Sequence, residues 1–125
     1  MSVSILIVDD SASIRRSLRS CIEANPEWSV CGEAENGHDA VHKVKVLNPD
    51  FVILDWLMPV MGGLEAARQI NHIAPNTAML MLTLHGSEQL LQEAHAVGVQ
   101  RVFSKSERLD ALTDWLKNSV HARRS

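Results

Sequence analysis

The chain has 125 residues, a net charge of -3 and a hydrophobic fraction of 46%, values that fit one compact globular domain. This acidic balance gives no argument for direct binding to nucleic acid or to an anionic membrane. The sequence has neither an apolar stretch of membrane-spanning length nor a signal-like N-terminus. We therefore expect a cytoplasmic protein that forms one domain over residues 1–125.

Extended and helical patterns alternate in the first half of the chain. The apolar run Ile5–Val8 predicts a strand, and apolar residues at helical spacing predict a helix that stops before Pro26. The segment Trp28–Ala34 predicts a second strand, which we expect near the sheet edge because it contains Gly32. Asn36 is a typical N-cap residue and predicts the start of a second helix.

The second half repeats this alternation. The first of its strands is continuously apolar, as is typical of a strand covered on both faces. The predicted strands are Phe51–Leu54, Met79–Leu82 and Val99–Phe103. The predicted helices begin after Gly63, near Ser87 and at Ser106.

Five strand–helix units in succession predict an α/β fold, a doubly wound five-stranded parallel sheet with helices on both faces. The flavodoxin-like strand order 2-1-3-4-5 places the first and third strands side by side. Five polar residues follow the predicted strands: Asp9, Asp10, Asp55, Thr83 and Lys105. Because parallel strands end at the same edge, these side chains are expected to converge at the carboxyl edge, where ligands bind in such sheets.

With these residues, the chain resembles the response-regulator receiver domain of two-component signalling over about residues 4–118. Asp9 and Asp10 are similar to the acidic pair of the family, and Asp55 to Gly63 resembles its D-x-x-M-P-x-M-x-G signature. Thr83 and Lys105 follow the fourth and fifth strands, as in the family. Each match is weak alone, but the four in order are specific. In its amino-acid sequence, the chain resembles in particular the receivers of LuxR-type helix-turn-helix regulators.

The resemblance implies that Asp55 accepts a phosphoryl group from a sensor histidine kinase, with Thr83 and Lys105 in contact with that group. It also implies a site for Mg²⁺ or Mn²⁺. The expected ligands are the carboxylates of Asp9, Asp10 and Asp55 and the main-chain carbonyl of Leu57. The protein would catalyse only its own phosphoryl transfer and a slow autodephosphorylation, so we do not expect an enzyme in the ordinary sense.

The chemistry of these residues supports such roles independently. Mg²⁺ prefers oxygen ligands and is usually held by one or two carboxylates together with waters. A cation would also remove the repulsion that otherwise raises the pKa of one of three clustered carboxyls. An ionised aspartate is already a nucleophile that can form an aspartyl phosphate. Positioning and charge neutralisation, from the cation and Lys105, supply the rest of the catalysis.

The expected output is a conformational switch. A phosphoryl group near Thr83 offers its hydroxyl a charge-assisted hydrogen bond, which would pull the following loop inward. In the family this movement is coupled to an aromatic side chain three residues before the lysine, where this chain has Val102. Phe103 should point to the other sheet face, so we expect an altered coupling. Leu84 is expected to slow dephosphorylation by its bulk, and Ser106 stands where many members have proline.

The downstream partner is left open by the sequence. The chain is either a stand-alone receiver that acts on a separate protein target or part of a longer regulator with a C-terminal DNA-binding domain. Phosphorylation could favour a homodimer through the exposed face of the first or the last helix, and nothing selects between them. We expect no direct contact with nucleic acid or membrane.

The sequence leaves three alternative functions to consider. The main one is a receiver-like interaction module that works without phosphorylation. A phosphohydrolase of the haloacid dehalogenase type would need D-x-D after the first strand, where Asp9 and Asp10 are adjacent. A flavodoxin would need a phosphate-binding loop there, for which Ser11 and Ser13 are a poor substitute beside acids.

The cysteines and histidines favour structural roles. Cys21 and Cys31 lack metal or redox spacing, and a cytoplasmic location favours buried free thiols over a disulfide. His38 and His42 are four residues apart on a predicted helix, but no third ligand lies nearby in sequence. We expect these histidines to form a solvated helix face.

Overall fold

The computed structural model describes residues 3–84, 86–105 and 109–124, with side chains up to residue 121. Within these ranges strands and helices alternate along the chain. The strands are β1 (Val3–Val8), β2 (Trp28–Ala34), β3 (Phe51–Asp55), β4 (Ala78–Thr83) and β5 (Val99–Ser104). The helices are α1 (Ala12–Glu23), α2 (Gly37–Leu47), α3 (Gly63–Ile73), α4 (Glu88–Ala96) and α5 (Leu109–Arg124).

The strands form one parallel sheet in the order β2-β1-β3-β4-β5. The predicted fold class and strand order are therefore confirmed, including the position of β2 at an edge. In the register, Val8 pairs with Leu54 across β1 and β3. The residues that follow these two positions, Asp9 and Asp55, are thereby brought to neighbouring places at the carboxyl edge.

Helices cover both sheet faces and bury two apolar clusters. One cluster joins α2, α3 and α4 to the sheet, with Val44, Ile70 and Leu90 among its buried members. The other joins α1 and α5 to the opposite face, through residues such as Leu18 and Leu116. Removal of these side chains from water is the main stabilising contribution to the fold.

Several element ends differ slightly from those predicted. Asp55, Thr83 and Ser104 belong to their strands rather than follow them, because the hydrogen-bonded ladder continues past the last apolar residue. The N–H of Lys105, for example, donates to the carbonyl of Thr83 at 2.7 Å. Ser87 is the N-cap of α4 and not its first turn. The predicted start of the last helix at Ser106 lies outside the described residues.

The expectations on cysteines and membrane spans have simple outcomes. Cys21 and Cys31 are free thiols, as expected, but both are only half-buried. No helix in the described ranges has the length and apolar character needed to cross a bilayer.

Candidate functional site

The carboxyl edge of the sheet gathers the polar side chains that end its strands. Asp9 follows β1, Asp55 and Thr83 end β3 and β4, and all three are buried. Lys105 follows β5 and is half-buried, whereas Asp10 is exposed. Buried carboxylates are rare without a partner, so their concentration here indicates a site rather than packing.

The three acids form one compact cluster. One carboxylate oxygen from each of Asp9, Asp10 and Asp55 lies within 4.8 Å of the others. Among the described residues this is the one group of histidine, cysteine or acidic side chains arranged so that it could hold a metal ion. His38 and His42 are therefore not part of such a group.

Lys105 contributes a positive charge next to this cluster. Its Nζ lies 3.1 Å from Asp9 Oδ2 and 3.1 Å from Asp55 Oδ1. The ammonium thus bridges two carboxylates from neighbouring strands. A third acid, Asp10, adds a charge that this single cation does not balance.

The residues present fit a divalent cation. Asp9 Oδ2 is fully buried, and although it pairs with Lys105 it accepts no hydrogen bond of good geometry from the described part of the chain. The ion pair with Lys105 offsets part of the cost of burying this oxygen, and a cation ligated by it would offset more of that cost. An all-oxygen donor set with one exposed member, Asp10, matches the preference of Mg²⁺ for carboxylates plus water.

The electrostatics of Asp55 reflect its crowded position. Burial raises its pKa, and the negative charge of Asp9 raises it further, while the hydrogen bond from Lys105 acts in the opposite direction. Burial alone would lower the pKa of Lys105, but its interactions with Asp55 and Asp9 outweigh this and raise the pKa. The ammonium therefore stays charged, and an additional cation is favoured electrostatically.

The loop after β3 is fixed by close backbone contacts. The N–H of Gly63 donates to the carbonyl of Trp56 at 2.9 Å, and that of Gly37 donates to Met61 at the same distance. A Cβ on Gly63 would lie 2.4 Å from the carbonyl oxygen of Asp55. Only glycine permits this approach, so the signature sequence holds the backbone of Asp55 in place. Met58 is buried beneath the loop.

A cleft of about 320 Å³ opens over Asp55. Its lining comprises Asp10, Asp55, Trp56, Leu57, Thr83, Leu84 and Lys105. The side chains of Leu57 and Leu84 are 74% and 67% exposed and stand at its mouth. The cleft therefore connects Asp55 to solvent past an apolar rim. The role of the Leu57 carbonyl as a metal ligand stays a prediction.

The two residues before Ser104 point to opposite sheet faces, as predicted. Val102 packs against the cluster that contains Leu90, while Phe103 is buried in the other cluster and makes an edge-to-face contact with Trp115. The position for which the resemblance implies an aromatic residue thus holds a valine.

The sequence analysis did not single out Arg15, which contacts the main chain of Asp9, or Glu33, which pairs with Arg15. Nη1 of Arg15 donates to the main-chain carbonyl of Asp9 at 2.7 Å, and its Nε donates to Glu33 Oε1 at 2.8 Å. Arg15 and Arg19 share one side of α1 by their spacing of four residues. That spacing was a detectable signal, but it does not show that Glu33 of β2 lies opposite.

Comparison with known proteins agrees with the fold. Residues 5–117 match the family model of the response regulator receiver domain. The chain therefore belongs to the response regulator receiver domain family, and the resemblance stated from the sequence is confirmed. This family acts in two-component signalling, where phosphorylation and Mg²⁺ binding are general, and its members take phosphate from histidine kinases.

Among its relatives, the chain is 34% identical over 120 residues to the chemotaxis protein CheY of Halobacterium salinarum, covering 93% of this chain and 98% of that protein. It is 42% identical over 104 residues to protein-glutamate methylesterase/protein-glutamine glutaminase 1 of Methanosarcina acetivorans, covering 82% of this chain. That match spans 30% of the longer protein. A LuxR-family two-component response regulator from Aurantimonas sp. SI85-9A1 has a similar structure, with a TM-score of 0.91, 26% identity and coverage of 98% and 87% of the two chains.

Proposed function

We propose that this chain is a phosphorylation-dependent switch in which Asp55 accepts a phosphoryl group from a sensor histidine kinase. The observation that carries the proposal is the cluster of Asp9, Asp10 and Asp55, in which Asp9 and Asp55 are buried and paired with Lys105 and Asp55 lines a cleft. Asp55 is the acid that lines this cleft from the end of a strand and pairs with the lysine. It is therefore placed to act as the nucleophile.

In the transfer, an oxygen of Asp55 attacks the phosphorus of the donor phosphohistidine. The new O–P bond forms as the P–N bond breaks, and the imidazole nitrogen keeps that electron pair and takes up a proton. The loop backbone fixed by Gly63 holds the attacking carboxylate in position. Such orientation is a large part of catalysis in phosphoryl transfer.

Mg²⁺ or Mn²⁺ would be held by the carboxylates of Asp9, Asp10 and Asp55 and by the main-chain carbonyl of Leu57. When bound, it would neutralise the negative charge that spreads over the phosphoryl oxygens. Lys105 supplies a second positive charge from the side of β5.

Thr83 is the residue that we propose couples phosphorylation of Asp55 to the conformational change. Its buried side chain lies at the end of β4, and it lines the cleft beside Asp55. Its hydroxyl would donate to a phosphoryl oxygen and draw the following loop, including Leu84, inward. Val102 packs on the core beside β4 and fills less space than an aromatic residue. We infer a coupling to the α4–β5 face that differs from that of receivers with an aromatic residue here.

The wider setting is proposed on the basis of family membership. We treat residues 1–125 as one receiver domain that works in the cytoplasm and is not an enzyme beyond its own phosphoryl transfer. Its output is either a C-terminal DNA-binding domain of a longer regulator or a separate target protein. A homodimer that forms on phosphorylation is compatible with either output.

The test is incubation with acetyl phosphate and MgCl₂, followed by intact-protein mass spectrometry. We expect an adduct of one phosphoryl group that is absent when EDTA replaces the metal. Asp55→Asn should abolish the adduct. Asp114→Asn, which removes an exposed carboxylate of α5, should leave it unchanged.

The absence of an adduct from the wild-type protein at any metal or donor concentration would contradict the proposal. It would instead support an interaction module that works without phosphorylation. An adduct of equal yield in Asp55→Asn would also contradict the assigned nucleophile.

A further inference from the structure

A chain of ion pairs that starts on the surface of α1 reaches the main chain of Asp9, the first residue of the acidic pair Asp9 and Asp10. Arg19 donates through Nε to Glu33 Oε2 at 2.9 Å, and Arg15 donates through Nε to Glu33 Oε1 at 2.8 Å. Both oxygens of Glu33 are thus occupied by arginines one helical turn apart. Nη1 of Arg15 is left to donate to the carbonyl of Asp9.

We propose that Arg15, oriented by Glu33, is a positioning residue for the cation site, because it fixes the peptide unit that joins Asp9 to Asp10. This inference rests on the proposed function, which assigns both acids to the cation. It adds that their geometry is set by a residue that does not contact the cation itself.

The carbonyl that Arg15 holds belongs to the peptide between the two acids. That peptide is planar, so its orientation sets the directions of the Cα–Cβ bonds of both Asp9 and Asp10. The N–H of Asp9 is held from the other side by the carbonyl of Ala34 at 3.1 Å. Since β2 ends at Ala34, the Asp9 carbonyl lies past the strand, and the arginine side chain supplies its donor.

The carboxylate of Asp9 is also constrained. Its Oδ1 accepts a hydrogen bond from the N–H of Ser11 at 2.9 Å, while Oδ2 faces Lys105. Because this hydrogen bond restrains the Asp9 side chain, the relative position of the two carboxylates changes mainly through rotation of the Asp9–Asp10 peptide. The contact from Arg15 restrains that rotation.

Arginine suits this role better than lysine. The guanidinium is a rigid planar fork, so pairing of Nε with Glu33 fixes the direction in which Nη1 points. The side chain of Arg15 is only 12% exposed, which makes it more than a solvated surface charge. A neighbouring charge of the same helix, Arg16, is exposed and offers a matched control.

The experiment measures the Mg²⁺ dissociation constant of the full chain by amide NMR titration with MgCl₂, together with the free energy of unfolding in urea. Loss of a residue that orients a metal ligand typically weakens binding by about tenfold or more. We expect about a tenfold increase of the dissociation constant in Arg15→Met and a smaller increase in Glu33→Gln. Arg15→Lys should recover part of the affinity, and Arg16→Met should equal the wild type.

A double-mutant cycle separates positioning from general weakening of the fold. If Glu33 acts through Arg15, Glu33→Gln should raise the dissociation constant in the wild-type background and have no further effect in Arg15→Met. The phosphoryl adduct of Arg15→Met should return to the wild-type yield at saturating MgCl₂, because Asp55 itself is unchanged.

Two outcomes would overturn the inference. One is an unchanged dissociation constant in Arg15→Met with normal wild-type binding, whatever the loss of stability. The other, should Arg15→Met fail to fold, is an unchanged constant in both Glu33→Gln and Arg15→Lys. By contrast, a wild-type protein that does not bind Mg²⁺ would contradict the proposed function itself.

Discussion

At the scale of single residues, the loop over the site combines tight backbone contacts with local strain. Val60 has a φ of 68°, and the N–H of Met61 donates to the carbonyl of Pro59 at 2.7 Å across it, as in a γ-turn. A β-branched residue with positive φ is a genuine outlier. The Val60 side chain is 84% exposed, so burial does not offset this strain.

Val60→Asn is therefore expected to stabilise the protein. Asparagine adopts positive φ more readily than valine, and relief of such strain is worth about 1 kcal/mol. Urea denaturation of the two proteins measures the difference. Val46→Asn is the control, because Val46 is also exposed but lies in α2, where the two residues have similar helix propensity. Equal free energies of unfolding in Val60→Asn and the wild type would show that no strain is stored there.

The adjacent glycines of the signature differ in what a methyl group would meet. A Cβ on Gly63 would lie 2.4 Å from the Asp55 carbonyl oxygen, whereas one on Gly62 would lie 3.4 Å from that of Trp56. We expect Gly63→Ala to lower the free energy of unfolding by about 1–3 kcal/mol, the usual cost of overpacking, and to reduce phosphorylation of Asp55. Gly62→Ala should cost less than about 1 kcal/mol. Similar losses in both variants would contradict the close approach.

At the scale of helices and strands, Glu33 ties α1 to β2. Its pKa is lowered from 4.5, mainly by the hydrogen bond from Arg19 and also by Arg15. A lowered folded-state pKa gives stability that is present above the unfolded value and is lost as pH falls through the folded value. The ion pairs should therefore act fully at neutral pH and disappear in acid.

Glu33→Gln is expected to cost about 1 kcal/mol at neutral pH, as is typical of a partly exposed ion-pair network, and progressively less as the pH falls below 4.5. Urea denaturation of both proteins across this range gives the difference directly. Glu35→Gln is the control, because Glu35 lies 3.8 Å from Arg15 and is 75% exposed. A difference between wild type and Glu33→Gln that does not change with pH would contradict the ion-pair origin.

The same contacts show how far the sequence could predict the structure. The parallel sheet followed from apolar runs and right-handed crossovers, its strand order from the flavodoxin-like pattern, and the N-cap at Asn36 from side-chain chemistry. The convergence of Asp9 and Asp55 followed from parallel strands together with that strand order. The contact of Arg15 with Glu33 could not be predicted, because it depends on the rotation of α1 over β2, which periodicity leaves undetermined.

At the scale of the whole molecule, the fold holds three carboxylates near one ammonium, an arrangement that a cation should stabilise. A ligand that binds only the native state raises the free energy of unfolding, by about 1.4 kcal/mol at tenfold excess over its dissociation constant. We expect this increment with MgCl₂ in the wild type and in Asp114→Asn. Asp10→Asn should show no such increase in the free energy of unfolding. Because Asp10 is exposed, its replacement costs little stability by itself, so the two proteins can be compared directly. An equal increment in Asp10→Asn would place the cation elsewhere.

The central claim is that Asp55, within the acidic cluster, carries the phosphoryl group. Its most direct test is to phosphorylate the native chain with acetyl phosphate and MgCl₂ and to map the modified residue by tandem mass spectrometry at the peptide level. We expect one phosphoryl group on Asp55, labile to hydroxylamine as an acyl phosphate should be. A phosphoryl group found on any other residue, or none at all, would contradict it.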